Sequence, residues 1–134
     1  MRLSKASAYA VFAAVYIAKH QDEGPVQGRL IAQAHNLPLE YLLKILQQLV
    51  RAGVLVSETG RRGGFQLKRP PQRTTLLEIV EAIDGPVNGH LTMRAEISGA
   101  EKARDRVEAL CERIAEDTKT LLRQATLKHL MLPE

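Results

Sequence analysis

The 134-residue sequence contains only one cysteine, Cys111, and no tryptophan. A single cysteine cannot form an intrachain disulfide, which is typical of a protein from a reducing compartment. No stretch approaches the ~20 apolar residues of a membrane span, and no apolar run near Met1 precedes a small-residue cleavage site. We therefore expect a soluble cytoplasmic protein with no signal peptide and no membrane partner.

The sequence also lacks the patterns that enzymes and metal sites require. No nucleophile, base and orienting residue come together in a recognisable motif, and neither metal-ligand spacing nor a phosphate-binding loop is present. Gly63 and Gly64 lie in a predicted hairpin and are not interpreted as a nucleotide-binding loop. We expect no catalytic residue, no metal site and no enzymatic activity.

The distribution of charge indicates how the chain is organised. Its length predicts one domain, or one small domain with a dimerisation element. Residues 1–74 hold 11 basic and four acidic residues, a net charge of +7, whereas residues 75–134 hold eight basic and 11 acidic residues, a net charge of −3. A basic segment joined to an acidic one favours a polyanion-binding module carried on another element. An incidental asymmetry of charge is the alternative.

Apolar spacing predicts three helices in the basic half, over residues 4–20, 26–34 and about 39–52, with a serine as the first N-cap. Asn36 tolerates the left-handed conformation of a tight turn, and Pro38 suits the first turn of a helix. Two short helices joined by a tight turn, the second amphipathic, predict a helix-turn-helix. Any other helical hairpin is the alternative.

Residues 54–67 predict a β-hairpin whose tip has the sequence GRRGG at residues 60–64. A hairpin directly after the second helix of a helix-turn-helix is a wing. Arg61 and Arg62 suit a narrow minor groove or phosphates, and we expect the glycines to let the backbone approach DNA closely. A solvated hairpin with incidental arginines is the alternative.

Capping-box patterns begin at Thr75 and Ser98 and predict two helices in the acidic half, with a loop between them. The second helix is about 25 residues long, and residues 126–131 predict a short final turn. The apolar residues of this long second helix follow a heptad-like spacing: Ala103, Val107, Leu110, Ile114 and Leu121. A long helix with one apolar stripe favours packing against a copy of itself. Packing against its own chain is the alternative.

Four collinear motifs resemble the Rrf-type family of bacterial winged-helix regulators. MRLSKASAYAV at residues 1–11 resembles the opening of the family, and LEYLLKIL at residues 39–46 resembles its recognition helix. GRRGGFQL at residues 60–67 resembles its wing, and LLEIVEAIDG at residues 76–85 resembles the helix after the wing. The resemblance implies a mainly α fold with a small β-hairpin wing and a long C-terminal dimerisation helix.

The resemblance also implies a domain organisation and a function. A winged helix-turn-helix DNA-binding domain would occupy residues 1–85, the loop that forms the sensor region in relatives would occupy residues 86–97, and a dimerisation helix with a C-terminal turn would occupy residues 98–134. Such a protein is a transcription regulator, and we expect a repressor that binds a palindromic double-stranded DNA operator as a homodimer.

The family pattern assigns DNA contacts by position. Major-groove contacts would come from Glu40, Leu43 and Lys44. Backbone contacts would come from Arg2, Lys5, Arg29 and Tyr41. Wing contacts in the minor groove would come from Arg61, Arg62, Gly63 and Gly64. One departure from the pattern is Gln27, where members often place a serine or threonine cap.

A second departure concerns the cofactor. Many family members hold an iron–sulfur cluster with three cysteines before and at the start of the long helix, and some add an acidic ligand from the first helix. Residues 84–110 contain no cysteine, and the first helix offers Ala8 and Phe12 in the corresponding stretch. Because a cluster requires several thiolates, we expect a regulator without this cofactor. A cluster shared between two Cys111 residues and other ligands is the alternative.

Two alternatives remain open from the residues themselves. Cys111 is interpreted as a small residue beside the dimer core, but a redox-responsive thiol is the alternative, which requires a lowered pKa and exposure. The second alternative is a protein-interaction module, in which the acidic faces of the long helix dock a partner enzyme. A solvated helix face explains the same acidic residues more simply.

Overall fold

A computed structural model describes residues 2–89 and 99–131 of the chain. The helices in these ranges are α1 (Lys5–His20), α2 (Gly28–His35), α3 (Leu39–Arg51), α4 (Leu76–Asp84), α5 (Glu101–Gln124) and α6 (Leu127–Leu130), and the strands are β1 (Leu55–Glu58) and β2 (Gly64–Leu67). This order confirms a mainly α fold with a small hairpin and a long C-terminal helix. Within the described ranges, no helix is long and apolar enough to cross a membrane.

Helix α1 forms the centre of the core. Its N-cap is Ser4, as predicted, and the Ser4 hydroxyl accepts a hydrogen bond of 3.0 Å from the backbone N–H of Ser7. The fully buried apolar residues of α1 are Ala10, Ala13, Ala14 and Ile17. Their small size allows several elements to approach the helix closely, and α2, α3, β2, α4 and α6 all pack against it.

Helices α2 and α3 form the predicted helix-turn-helix. Asn36 ends α2 with a φ of 53° and a ψ of 50°, the left-handed conformation that the tight turn requires. Helix α3 turns one apolar face inward, where Leu42 and Leu46 have no exposed surface. Its other face stays accessible, so α3 is amphipathic as the apolar spacing predicted.

Helix α2 begins two residues later than predicted, because Val26 belongs to the hairpin. The N–H of Val26 donates to the carbonyl of Phe65 at 2.9 Å, and the N–H of Phe65 donates back at 2.8 Å. Strands β1 and β2 pair antiparallel, from Leu55 opposite Leu67 to the tip of the hairpin. The Val26 bridge therefore ties the wing directly to the start of the helix-turn-helix.

Helix α4 begins with the predicted capping box: the Thr75 hydroxyl accepts from the N–H of Glu78, and the Glu78 carboxylate accepts from the N–H of Thr75. The second predicted cap, Ser98, and residues 90–97 of the predicted loop lie outside the described residues. Helix α5 begins at Glu101 with Ala100 as its N-cap, and no side-chain capping bond is present there.

The final turn, α6, packs into the core of the first 85 residues. Leu127 has no exposed surface, and its N–H donates to the carbonyl of Thr74 at 2.9 Å. The N–H of Leu76 donates to the carbonyl of Ala125 at 2.9 Å. The chain therefore returns after α5 to the start of α4, and the core of the winged helix includes the C-terminal turn.

Most of the large apolar residues of α5 are exposed in the described structure. Only one residue of this helix, Ala115, is buried. The α5 stripe, defined as Ala103, Val107, Leu110, Ile114 and Leu121, is exposed, and its four larger side chains retain between 44% and 67% of their surface. Among the described residues, its own chain thus leaves most of the stripe uncovered, and Ile114 shares a pocket with Val87 and Gly89.

Candidate nucleic-acid interface

The accessible face of α3 carries two charged residues one helical turn apart. Glu40, in the first turn, and Lys44 are both exposed. Residues four apart on a helix lie on the same side, so the carboxylate and the ammonium group face solvent together. The buried face of α3 holds this pair in position, because Ile45 and Leu49 lie in the core.

Leu43, the third residue predicted to face the major groove, lies beside Gly28 of α2. It is half-buried and packs against the core. A Cβ atom added to Gly28 would lie only 2.9 Å from Cδ2 of Leu43. The Leu43 side chain thus fills the space that the glycine leaves on α2, and only part of its surface remains accessible.

Tyr41 braces the start of α3 against α1. Its ring meets the ring of Tyr9 edge-to-face, with centroids 6.0 Å apart and an interplanar angle of 89°. Lys5 precedes Tyr9 by one turn and therefore lies on the same side of α1. Arg2 and Lys5 are exposed, so both of these predicted backbone contacts are accessible from solvent.

The two arginines of the wing tip, Arg61 and Arg62, are exposed. Neither forms an ion pair with any residue that the structure describes. The guanidinium groups are therefore available to an external anion.

The glycines of the wing lie against the protein's own backbone, a role that the sequence did not predict. A Cβ atom at Gly63 would lie 2.3 Å from the carbonyl oxygen of Glu58. A Cβ atom at Gly64, whose φ is +154°, would lie 2.5 Å from the carbonyl oxygen of Val26. Both glycines are needed for the hairpin to close and to pair with Val26, whether or not DNA is present.

Gln27 connects α2 to the wing, a role that the sequence did not predict. Its Nε2 donates to the carbonyl oxygen of Arg61 at 3.3 Å, and its Oε1 accepts from Nη2 of Arg29 at 3.0 Å. It forms no capping bond with α2. The residue that departs from the family pattern thus positions both the wing tip and a second basic side chain.

Asp84, the last residue of α4, fixes the start of α1. The hydroxyls of Ser4 and Ser7 donate to its two carboxylate oxygens at 2.6 and 2.7 Å. The hydrogen bond from Ser4, aided by that from Ser7, lowers the pKa of Asp84 against the opposing effect of partial burial. The exposed basic residues at the start of α1 are therefore held by a charge-assisted anchor.

Cys111 is half-buried on α5 and faces the segment after α4. A Cβ atom at Gly89 would lie 2.2 Å from the carbonyl oxygen of Cys111, so the two backbones are in contact. In the described part of the chain, no group of three or more His, Cys, Asp or Glu residues could hold a metal ion. Because the whole chain has one cysteine, its residues do not fit an iron–sulfur cluster bound by several thiolates.

The acidic residues of α5 are partly neutralised by neighbours on the same helix. Arg104 pairs with Glu108 at 3.7 Å, and Lys119 pairs with Glu116 at 3.3 Å. Such pairs at helical spacing are ordinary features of a solvated face. They favour that interpretation over a docking surface for a partner enzyme.

Known proteins are similar to this chain in sequence and in architecture. The family model described as Rrf2, iron-dependent transcriptional regulator, matches residues 3–133. The HTH-type transcriptional regulator CymR of Bacillus subtilis is 32% identical over 88 residues, which are 66% of this chain and 64% of CymR. The HTH-type transcriptional regulator IscR of Xenorhabdus nematophila is 34% identical over 88 residues, which are 66% of this chain and 54% of IscR.

Each of these two matches thus spans between half and two thirds of the curated relative. The solved structures extend the likeness to nearly the whole chain. The structure of CymR, the global cysteine regulator of B. subtilis, superposes with a TM-score of 0.77 at 27% sequence identity and covers 98% of this chain and 96% of that one.

Proposed function

The chain belongs to the Rrf2 family of transcriptional regulators, and we propose that it represses transcription by binding a palindromic DNA operator as a homodimer. The family consists of regulators and not of enzymes. The observation that carries the proposal is the combination of an exposed charged face on α3 with a wing tip whose exposed arginines form no ion pair with the described residues. A helix and a hairpin presented together can occupy adjacent grooves of one duplex.

The exposed face of α3 supplies groups that distinguish base pairs. The Lys44 ammonium group can donate to O6 and N7 of guanine, and the Glu40 carboxylate can accept from N4 of cytosine. The major groove is about 12 Å wide and admits an α-helix. We assign direct base recognition to Glu40 and Lys44, while Leu43 holds α3 at its distance from α2.

The remaining basic residues supply affinity rather than sequence recognition. Arg61 and Arg62 would enter the minor groove or contact its phosphates, where a narrow groove has enhanced negative potential. The phosphate contacts that we assign elsewhere are Arg2, Lys5, Arg29 and Tyr41. The net charge of +7 over residues 1–74 supports an affinity for DNA that falls steeply as the salt concentration rises.

The α5 stripe supports dimerisation. A row of large apolar side chains exposed along a helix of 24 residues is the kind of surface that associates with another protein surface. Two copies packed stripe against stripe form a two-fold dimer. Such a dimer presents its two α3 helices to half-sites about one helical turn apart, ~34–36 Å, which is why we expect a palindromic operator.

We propose that this regulator does not sense its signal through an iron–sulfur cluster bound by its own cysteines. The family description is iron-dependent, but one half-buried cysteine per chain cannot supply several thiolates. Occupation of an operator that overlaps a promoter is enough for repression, and it requires no bound cofactor.

Selection of duplexes from a random pool at moderate salt tests the proposal, followed by gel-shift titration of the selected sequence and a shuffled control. We expect an inverted repeat with half-sites about one turn apart, and lower transcription from a reporter promoter that contains it. Failure to enrich any sequence would contradict sequence-specific binding. Enrichment of a single half-site would contradict the dimer, and a rise in transcription would contradict repression.

A further inference from the structure

A groove of about 450 Å³ lies beside α1, between α1, the end of α2 and the final turn α6. None of the residues assigned to DNA or to the dimer lines it. Its volume falls within the ~300–1,000 Å³ that is usual for sites that bind small molecules. The groove therefore requires an explanation of its own.

The walls of the groove are apolar and accessible. Phe12 of α1 retains 52% of its surface and Leu130 of α6 retains 40%, although both are large apolar residues. Val11 and Val15 complete this wall. An apolar body bound here would remove these side chains from water, which is the main favourable contribution in most small-molecule sites.

Aromatic rings and histidines also line the groove, and contacts between them fix their orientation. The Tyr16 ring stacks on His20 with centroids 4.0 Å apart and meets His35 edge-to-face at 5.8 Å. Nδ1 of His20 is 2.8 Å from the carbonyl oxygen of Tyr16. Phe12 also contacts the His35 ring, with centroids 6.4 Å apart. These contacts hold the lining in place before any ligand arrives.

Two polar features of the groove point to the charge of a ligand. Nε2 of His35 is buried and has no hydrogen-bond partner among the described residues, which is uncommon for a buried polar atom. Lys19 also lines the groove, and no aspartate or glutamate is among its described lining residues. An anionic group would meet the Lys19 ammonium group without a competing carboxylate among these lining residues, whereas the buried Nε2 of His35 is reached only if the lining shifts.

We infer that the groove binds a small apolar carboxylic acid with an aromatic or branched aliphatic body. The body packs on Phe12, Val15 and Leu130, and the carboxylate lies toward Lys19. Because His35 is the last residue of α2 and directly precedes the Asn36 turn into α3, a bound acid contacts the element that positions α3. The resulting effect on DNA affinity rests on the proposed function, whereas binding of the acid does not.

Calorimetric titration of the full chain, without DNA, tests the site with four probes: benzoate, 3-phenylpropionate, 2-naphthoate and 4-methylpentanoate. We expect at least one to bind at millimolar concentration or below, with one molecule per chain. Lys19→Gln should weaken that binding about three- to fivefold, as expected for loss of one partly solvated charge contact. The matched control is Lys102→Gln, an exposed lysine of α5, which should bind as the wild type does.

A second variant blocks the groove itself. Val15→Trp places a large side chain in the space for the ligand, and we expect binding to be lost while the circular dichroism spectrum is kept. If this variant does not fold, the Lys19 comparison decides alone. Absence of binding by all four acids, or equal binding by wild type and Lys19→Gln, would overturn the site, and so would equal binding by a folded Val15→Trp chain.

The effect on DNA is measured separately with the selected operator. We expect the bound acid to change the affinity for the operator in the wild type and to leave it unchanged in Lys19→Gln at the same acid concentration. Acid binding with constant DNA affinity would overturn the coupling. A chain that binds the acid but selects no operator would contradict the proposed function and leave the site supported.

Discussion

The side-chain amide of Gln27 donates to the carbonyl oxygen of Arg61, joining residues 34 positions apart in the sequence. The same side chain accepts a hydrogen bond from Arg29 at 3.0 Å. One uncharged residue thus fixes the wing tip relative to α2 and orients a neighbouring guanidinium group. In our proposal these are two of the surfaces that contact DNA, so Gln27 is a positioning residue for the interface.

Gln27→Ala should weaken binding to the selected operator about three- to tenfold, because a neutral hydrogen bond contributes ~0.5–1.5 kcal/mol. The thermal midpoint should change little, since the bonds of Gln27 lie at the surface. Gel-shift titration measures the first effect and calorimetry the second. Gln33→Ala, at an exposed position of the same helix, is the control, and equal affinities for the two variants would show that Gln27 does not position the wing.

Replacing both wing arginines, Arg61→Ala with Arg62→Ala, should weaken DNA binding and lower its salt dependence. Each lost phosphate contact reduces the slope of log affinity against log salt by about 0.9. Fluorescence anisotropy at several salt concentrations measures the slope. A double variant of two exposed arginines of α5, Arg106→Ala with Arg113→Ala, removes the same charge elsewhere. If both double variants lower the slope equally, the wing makes no particular contact.

Two adjacent residues of α3 should respond in opposite ways. Leu43→Ala should lower the free energy of unfolding by about 1–2 kcal/mol, less than for a fully buried leucine, because its half-buried side chain packs beside Gly28. Lys44→Ala should leave stability unchanged and relax sequence preference at one base pair by about 1–3 kcal/mol. Denaturant unfolding and repeated selection measure the two effects. The assignment of roles fails if Leu43→Ala is as stable as the wild type.

Asp84 should contribute stability that depends on pH. Because its pKa is lowered in the folded chain, the stabilisation is present above the ordinary aspartate value of about 3.9 and is lost as the pH falls through the folded pKa. Asp84→Asn should therefore unfold more easily by about 1 kcal/mol at pH 7. The difference in unfolding free energy between Asp84→Asn and the wild type should shrink as the pH falls below about 3.9.

Denaturant unfolding at a series of pH values, from pH 7 to below about 3.9, measures the contribution of Asp84 to the free energy of unfolding. Asp22→Asn, at an exposed position in the turn after α1, is the control and should follow the wild type at every pH. A constant gap between Asp84→Asn and the wild type would mean that the charge of the carboxylate does not anchor α1.

The double variant Leu110→Glu with Ile114→Glu should separate the dimer without unfolding the chain. Both residues are exposed in the single chain, so their loss costs little before association. In the dimer each buried side chain of this size contributes about 1.5–3 kcal/mol, so the dissociation constant should rise by tenfold or more. Sedimentation equilibrium measures it. Ala109→Glu, exposed on α5 outside the stripe, should stay dimeric, and an unchanged mass for the double variant would refute the proposed interface.

Local chemistry in the sequence determined where most elements begin and end. Ser4 and Thr75 cap their helices with hydrogen bonds that span three residues. Asn36 adopts the left-handed turn, and the apolar spacing of α3 places Leu42 and Leu46 in the core. These features depend on atoms a few residues apart. For that reason the order of the winged-helix elements and the family resemblance both follow from the amino-acid sequence alone.

Only the tertiary structure decided which surfaces those elements share. Val26 pairs with Phe65 instead of beginning the predicted helix, and Leu43 packs beside Gly28 of α2. Leu127 is buried in the core formed by the first 85 residues, although it lies more than 40 positions after them in the sequence. Such contacts join distant parts of the chain, and a repeating pattern of polar and apolar residues does not record which distant partner each face meets. The sequence determined the elements because caps and helical periods are local, and packing chose the partners because burial depends on the whole chain.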